Sequence, residues 1–435
     1  MLSYRKLAMR VLGRPLHTGG NDSPRPASQR AAAFALTAAM LITLTAPAFA
    51  DTWCIENGDI TVKAGDTKGT NKVSQGDKKD VEDTNTIITN QKTDKASSNT
   101  VTIEANGKND KVEVTLKDVN IDTSSRNNAA VSVTGSGNTT IKLDGDNHLA
   151  GGNGIYSNSS GSLTISGDEN DSLTAQGGDS RNGIYSVSGD VTISGGTVTA
   201  TGGNSTGSYG SGGDGIHSGS LTISGGTVTA TGGDSTGSNG LGGRGICSDS
   251  GGITISGGST VTANGGNGSS GRDGISSSSG VTVSDGTVTA TGGNSTGSYG
   301  SGGDGIRSDG GVTISGGTVK AAGGDSKNGS GGDGIRSGDI DLSGSLELTA
   351  KAGSPNGKAL SQRGNELDLN TIKDKLGPGA KVTTTDADGK VIDQVPIPRP
   401  VEPEEPVIPG ESSSSSDGGS AAPSAPASPL PGLTV

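Results

Sequence analysis

Through the middle of the chain, apolar and polar residues alternate in short runs. In "SLTISGG", Leu221 and Ile223 fall on one side and Thr222 on the other. In "TVTAT", Val228 and Ala230 oppose Thr227 and Thr229. This period of two passes through "DGIHS", "SLTISGG" and "TVTATGG" without any helical periodicity. The trio then recurs. Gly-Ile pairs stand at Ile155, Ile184, Ile216, Ile246, Ile275, Ile306 and Ile335, at intervals of 29, 32, 30, 29, 31 and 29, which is the signature of a solenoid. Each unit predicts three strands and three corners around one thin core. Successive units should stack about 4.8 Å apart with like residue on like. The expected fold class is all-β: a right-handed parallel β-helix with three-strand rungs and a period of about 30 residues, followed by a disordered tail.

Proline and glycine sharpen this picture. A parallel stack uses every strand N–H, and no proline lies between Pro47 and Pro355. Paired glycines after each strand predict corners with positive φ. Unit length varies in one place, between "ATGG" and "DGI", so that corner should be a surface loop. Residues 51–84 are polar and predict an N-terminal cap, with the β-helix over 85–350. Residues 351–393 predict a C-terminal cap: a short helix in "NELDLNTIKDKLG" and a strand in "AKVTTTDADGKVID". Ten prolines and a serine run over 394–435 predict the disordered tail.

Composition changes what such a fold can contain. Only 28% of the 435 residues are hydrophobic and 2% aromatic, against 79 glycines, so the core must be built of Ile, Val, Leu and Ala. At the N-terminus, basic residues, an apolar run and Ala48-Phe49-Ala50 predict a secretory signal over 1–50, with an uncleaved membrane anchor as the alternative. Cleavage would take the net charge from −12 to −17. A chain that acidic is a poor nucleic-acid partner. A secreted or cell-surface monomer, not inserted in the membrane after cleavage, is expected. Cys54 and Cys247 lie far apart along any stack, so no disulfide between them is expected.

Stacking turns repeated positions into columns. The position before Gly-Ile reads Asn153, Asn182, Asp214, Arg244, Asp273, Asp304 and Asp333. Neighbouring carboxylates there repel by roughly 3 kcal/mol at an effective dielectric of 20. Calcium held by Asp214, Asp273, Asp304 and Asp333, with Asn294 or Asp325 from the adjoining corner, would answer that repulsion. Ion pairs with Arg244, Arg307 and Arg336 are a second answer, and plain solvation is a third. The position after Gly-Ile should face outward: Tyr156, Tyr185, His217, Cys247, Ser276, Arg307 and Arg336. Tyr156 and Tyr185 could offer a platform to a sugar ring, and Arg307 and Arg336 could grip a uronate.

Units of the form "DGI...VTISGGTVTATGG", with "TTIKLDGDNHLAGGNGI" upstream, resemble those of secreted bacterial carbohydrate-binding β-helix proteins. The resemblance spans residues 100–350. It implies a right-handed parallel β-helix, calcium held by acids near the Gly-Ile strand, and polysaccharide ligands such as pectic acid and cellulose. Asp214, Asp273, Asp304 and Asp333 match the acid before Gly-Ile, whereas Asn153, Asn182 and Arg244 depart from it.

The expected function is therefore non-catalytic binding of an acidic polysaccharide with calcium as cofactor. A structural spacer or adhesin stalk is the alternative. An enzyme is not expected, because repeated columns offer no unique acid and base pair for a lyase or hydrolase. Outward threonines in "TVTA" resemble ice-binding β-helices, but Lys320 interrupts them.

Overall fold

The computed structural model describes residues 52–396. The expected signal segment, and the tail beyond Pro396, lie outside the described residues. Within them the chain winds into a parallel β-solenoid of about ten turns. One repeat turn shows the plan: Ile216–Ser218 forms a first face, Leu221–Ile223 a second and Thr227–Thr231 a third. Each pairs in parallel with its equivalent one turn on, so that Ile216 meets Ile246, Leu221 meets Ile253 and Val228 meets Val261. Second and third faces join into a 20-stranded sheet, and the first face forms a 14-stranded one.

Inward columns are apolar except for one on the first face, where Ser186, Ser218, Ser248, Ser277, Ser308 and Ser337 are buried two residues after each isoleucine. Ile184, Ile216, Ile246, Ile275, Ile306 and Ile335 are fully buried, as are the Val and Ala columns of the third face. Burying one such isoleucine contributes roughly 1.5–3 kcal/mol. No aromatic is needed because each turn has only a few inward positions to fill. The exception is Trp53, buried at the N-terminal end with its Nε1 donating to Asp83 Oδ2 at 2.8 Å.

Glycine has two distinct jobs at the corners. Between second and third faces, positive φ occurs as expected, for example at Gly226 with φ +77°. The pairs after the third face do not need it. A Cβ on Gly203 would lie 1.7 Å from the Gly178 carbonyl oxygen, so these glycines are required by how closely one turn approaches the next. The variable corner is likewise more ordered than a free surface loop. Ser205, Ser235, Ser295 and Ser326 are buried in it, and bridges such as Ser205 to Ser235 carry the stack through.

Both ends differ from expectation. Thr52–Cys54 already pairs in parallel with Thr86–Thr89, so stacking begins inside the stretch read as a cap. Capping of the first-face sheet falls to an antiparallel meander, Ile60–Ala64, Asn71–Gln75 and Lys78–Asp83, whose charged last strand forms that sheet's edge. At the far end, Lys381–Thr385 extends the third face past residue 350, and Val391–Pro396 closes it antiparallel. Gln394 to Pro396 thus belong to a strand rather than to the tail. The expected helix appears as two 3₁₀ turns, Leu369–Thr371 and Lys373–Lys375. That stretch is too short, and its buried residues too few, to support an α-helix.

Candidate functional site

The column before Gly-Ile proves to be a hydrogen-bond ladder. Each side-chain Oδ1 accepts the backbone N–H of the same position one turn on. Asn182 N–H donates to Asn153 at 2.9 Å, Asp214 N–H to Asn182 at 2.7 Å and Arg244 N–H to Asp214 at 2.6 Å. Higher up, Asp304 N–H donates to Asp273 at 2.9 Å, Asp333 N–H to Asp304 at 2.7 Å and Lys358 N–H to Asp333 at 2.7 Å. Asn and Asp interchange along it because both supply the acceptor. A second ladder runs Asn204, Asp234, Asn267, Asn294, Asp325. Asp325 belongs there, with its Oδ1 on Ser354 N–H at 2.8 Å. It does not line the groove that holds Asp304 and Asp333.

That groove has a volume of about 430 Å³ and gathers much of the expected chemistry. Asp273 and Asp304 form its floor, both buried, with Asp333 beside them. Arg307 and Arg336, in register on consecutive turns, line it as well. Arg272 and Lys358 also line it, and neither stood out in the sequence. Burial first, and then the charge of Asp273, push the Asp304 carboxyl up to about 7. The expected ion pairs between arginines and the acid column do not form among the described residues. Arg307 reaches only the exposed Asp309, at 3.8 Å. Arg244, read as a counterion between Asp214 and Asp273, makes no ion pair with either, and its buried Nε lacks a hydrogen-bond partner.

The column after Gly-Ile runs unbroken along the outside of the first face. The Tyr156 and Tyr185 rings pack at a tilt of 50° with centroids 5.7 Å apart, and Tyr185 meets the His217 ring edge-on at 5.0 Å. The tyrosines line an open depression with Arg181 and Asn153. His217 is held between two carboxylates, Nδ1 at 2.7 Å from Asp214 Oδ2 and Nε2 at 2.8 Å from Asp249 Oδ2. Burial opposes its charge, but Asp214 and then Asp249 outweigh that and hold its pKa above the ordinary histidine value. Cys247, expected to face outward, is buried, with its thiol on Asp249 Oδ1 at 3.4 Å. Burial pushes the thiol up to about 12, so by itself it is no nucleophile at neutral pH. Both cysteines are free.

Two signals for this cluster lie in the sequence. His217 lies three residues after Asp214 in "DGIH", and Asp249 two after Cys247 in "CSD". The threonine array of the third face does stack in register, until Lys320 and Glu347 interrupt it. Among the described residues the most exposed aromatics are elsewhere: Tyr209 (82%) and Tyr299 (96%), both in the variable corner.

Residues 221–243, 253–279 and 312–335 match the family model described as beta helix repeat. No curated protein and no solved structure matches the chain. Repeat match and strand pairing agree on one architecture: the chain is an all-β protein of beta helix repeats, wound as a parallel β-solenoid.

Proposed function

We propose that this is a non-catalytic carbohydrate-binding protein that holds an acidic polysaccharide along the outside of its first face, in a secreted or cell-surface setting. The observation that carries the reading is the groove in which Arg272, Arg307 and Arg336 converge while none is ion-paired to the acids of the column. Guanidinium groups with free donors pair bidentately with carboxylates. Arg307 and Arg336 on consecutive turns would meet successive uronates of an extended chain. The tyrosine ladder farther along the same face supplies a surface for sugar rings.

Calcium assistance is the second reading, favoured by the raised pKa of Asp304, since a cation would relieve the charge crowding it. Against it, each column acid already spends one oxygen on a backbone N–H, and four cationic side chains share the groove. Those spent oxygens also support a non-catalytic role, because Asp304 and Asp333 are structural acceptors before they are acid or base.

Calorimetric titration with oligogalacturonates, with and without a chelator, tests this. The parent protein should bind and release no reducing ends or unsaturated uronides. Arg307→Ala with Arg336→Ala should weaken binding about 100-fold or more, at roughly 1.5–3 kcal/mol for each charged hydrogen-bonded contact. Loss of binding in the chelator would move the role to calcium. No binding under either condition would favour a structural spacer.

A further inference from the structure

Between the tyrosines and the arginines, the same outer column passes through different chemistry. His217 and Cys247 stand in register on adjacent turns. An Asp214 oxygen, a His217 ring nitrogen and Cys247 Sγ lie within 4.8 Å of one another. Asp249 reaches both the ring, at 2.8 Å, and the thiol, at 3.4 Å. We propose that these four residues form a site for one borderline-soft divalent metal of the Zn²⁺ class, with Cys247 Sγ, His217 Nε2 and the Asp249 carboxylate as ligands and Asp214 orienting the imidazole. The site is independent of the polysaccharide reading.

The donor set selects the metal. Calcium takes oxygen ligands, whereas thiolate, imidazole and one carboxylate suit zinc and its neighbours. The two carboxylates divide by what they already do. Asp214 has both oxygens committed, Oδ1 to the Arg244 N–H and Oδ2 to His217 Nδ1. That is the carboxylate–histidine arrangement that fixes a ligating ring. Asp249 is exposed, and its oxygens lie on Nε2 and Sγ, the two atoms that must be free of protons to bind a metal.

Carboxylates stand on both ring nitrogens, Asp214 on Nδ1 and Asp249 on Nε2. On binding, the Cys247 thiol proton and any proton on Nε2 leave to solvent. Bonds from Sγ and Nε2 to the metal replace their contacts with Asp249, while Nδ1–H stays on Asp214. One thiolate and two carboxylates exceed the charge of a divalent ion by one unit. The Arg244 guanidinium, which interacts electrostatically with Cys247, Asp214 and Asp249, offsets that excess. Solvent would complete a four-coordinate shell on the Asp249 side.

Titrating the reduced full chain with Co²⁺ and then Zn²⁺ tests the assignment. One equivalent of Co²⁺ should bind with a thiolate-to-metal absorption band in the near ultraviolet, and Zn²⁺ should abolish the band while Ca²⁺ does not. Cys247→Ser should lose it, and Cys54→Ser should keep it. Asp214→Asn, which retains the ladder acceptor, should bind 10- to 100-fold more weakly. Asp249→Ala, a surface change that leaves the turn intact, should bind at least tenfold more weakly. No band from the parent at millimolar Co²⁺, a band that persists in Cys247→Ser, or unchanged affinity in Asp249→Ala would overturn the proposal.

Discussion

A buried aspartate in a solenoid has two properties that separate on mutation: an acceptor oxygen and a charge. At Asp304 the oxygen serves the Asp333 N–H, while the charge sits buried close to Asp273 and Asp333. Its folded pKa, about 7, lies above the ordinary carboxylate value, so protonation favours the folded state. That stabilisation is complete below the unfolded value, about 4, and is lost as pH rises through about 7. Asp304→Asn keeps the acceptor and removes the charge. Its melting temperature should exceed that of the parent at pH 8, and the gap should close near pH 4. Thermal melts of both proteins at the two pH values check this, and a variant less stable at pH 8 would show that the charge is compensated in place.

Elements here are held by corners as much as by strands, and the corner glycines can be told apart experimentally. Gly258 has φ +67° and room for a Cβ, whose nearest neighbour would be Asp285 Oδ2 at 4.0 Å. Gly258→Ala should therefore cost only the left-handed backbone penalty, about 1–2 kcal/mol. Gly203 is not at positive φ, but its Cβ would strike the backbone of the turn below. Gly203→Ala must spread two turns apart and should cost about 3 kcal/mol or more. Denaturant unfolding of the two variants gives the order directly. In sequence both are simply glycines after a strand, and the close approach that separates them exists only once turns are stacked.

For the whole molecule, a stack of parallel strands ends in open edges unless something closes them. Among the described residues, antiparallel strands close the first-face sheet at both ends and the third face at its far end, where Val391–Pro396 covers the last third-face strand with its Val395 buried. Truncation after Gly389 should expose the edge of Lys381–Thr385 and produce concentration-dependent oligomers by light scattering, while the parent stays monodisperse. Along the axis between these ends, one outer column carries tyrosines, the His217–Cys247 cluster and then arginines. A long polymer lying along the solenoid would meet all three in order.

The period-two alternation and the Gly-Ile spacing were enough to establish three faces per turn, the inward isoleucine column and the parallel stacking. They act through local geometry, since strand periodicity and repeat length admit few other closures. The residues that would share an outer column were legible for the same reason: Tyr156 beside Tyr185, and Arg307 beside Arg336. What those columns do was not legible. Asp273, Asp304 and Asp333 read as a repelling column to be relieved by calcium, by arginines or by solvent. Only the stacked backbone reveals the N–H that each carboxylate accepts one turn on. The same holds for Cys247, whose outward position says nothing of burial until Asp249 and His217 close around it. Periodicity specifies which residues become neighbours, but hydrogen-bond partners and burial depend on the distance between turns and on side chains from adjacent rungs, and those exist only in the folded stack.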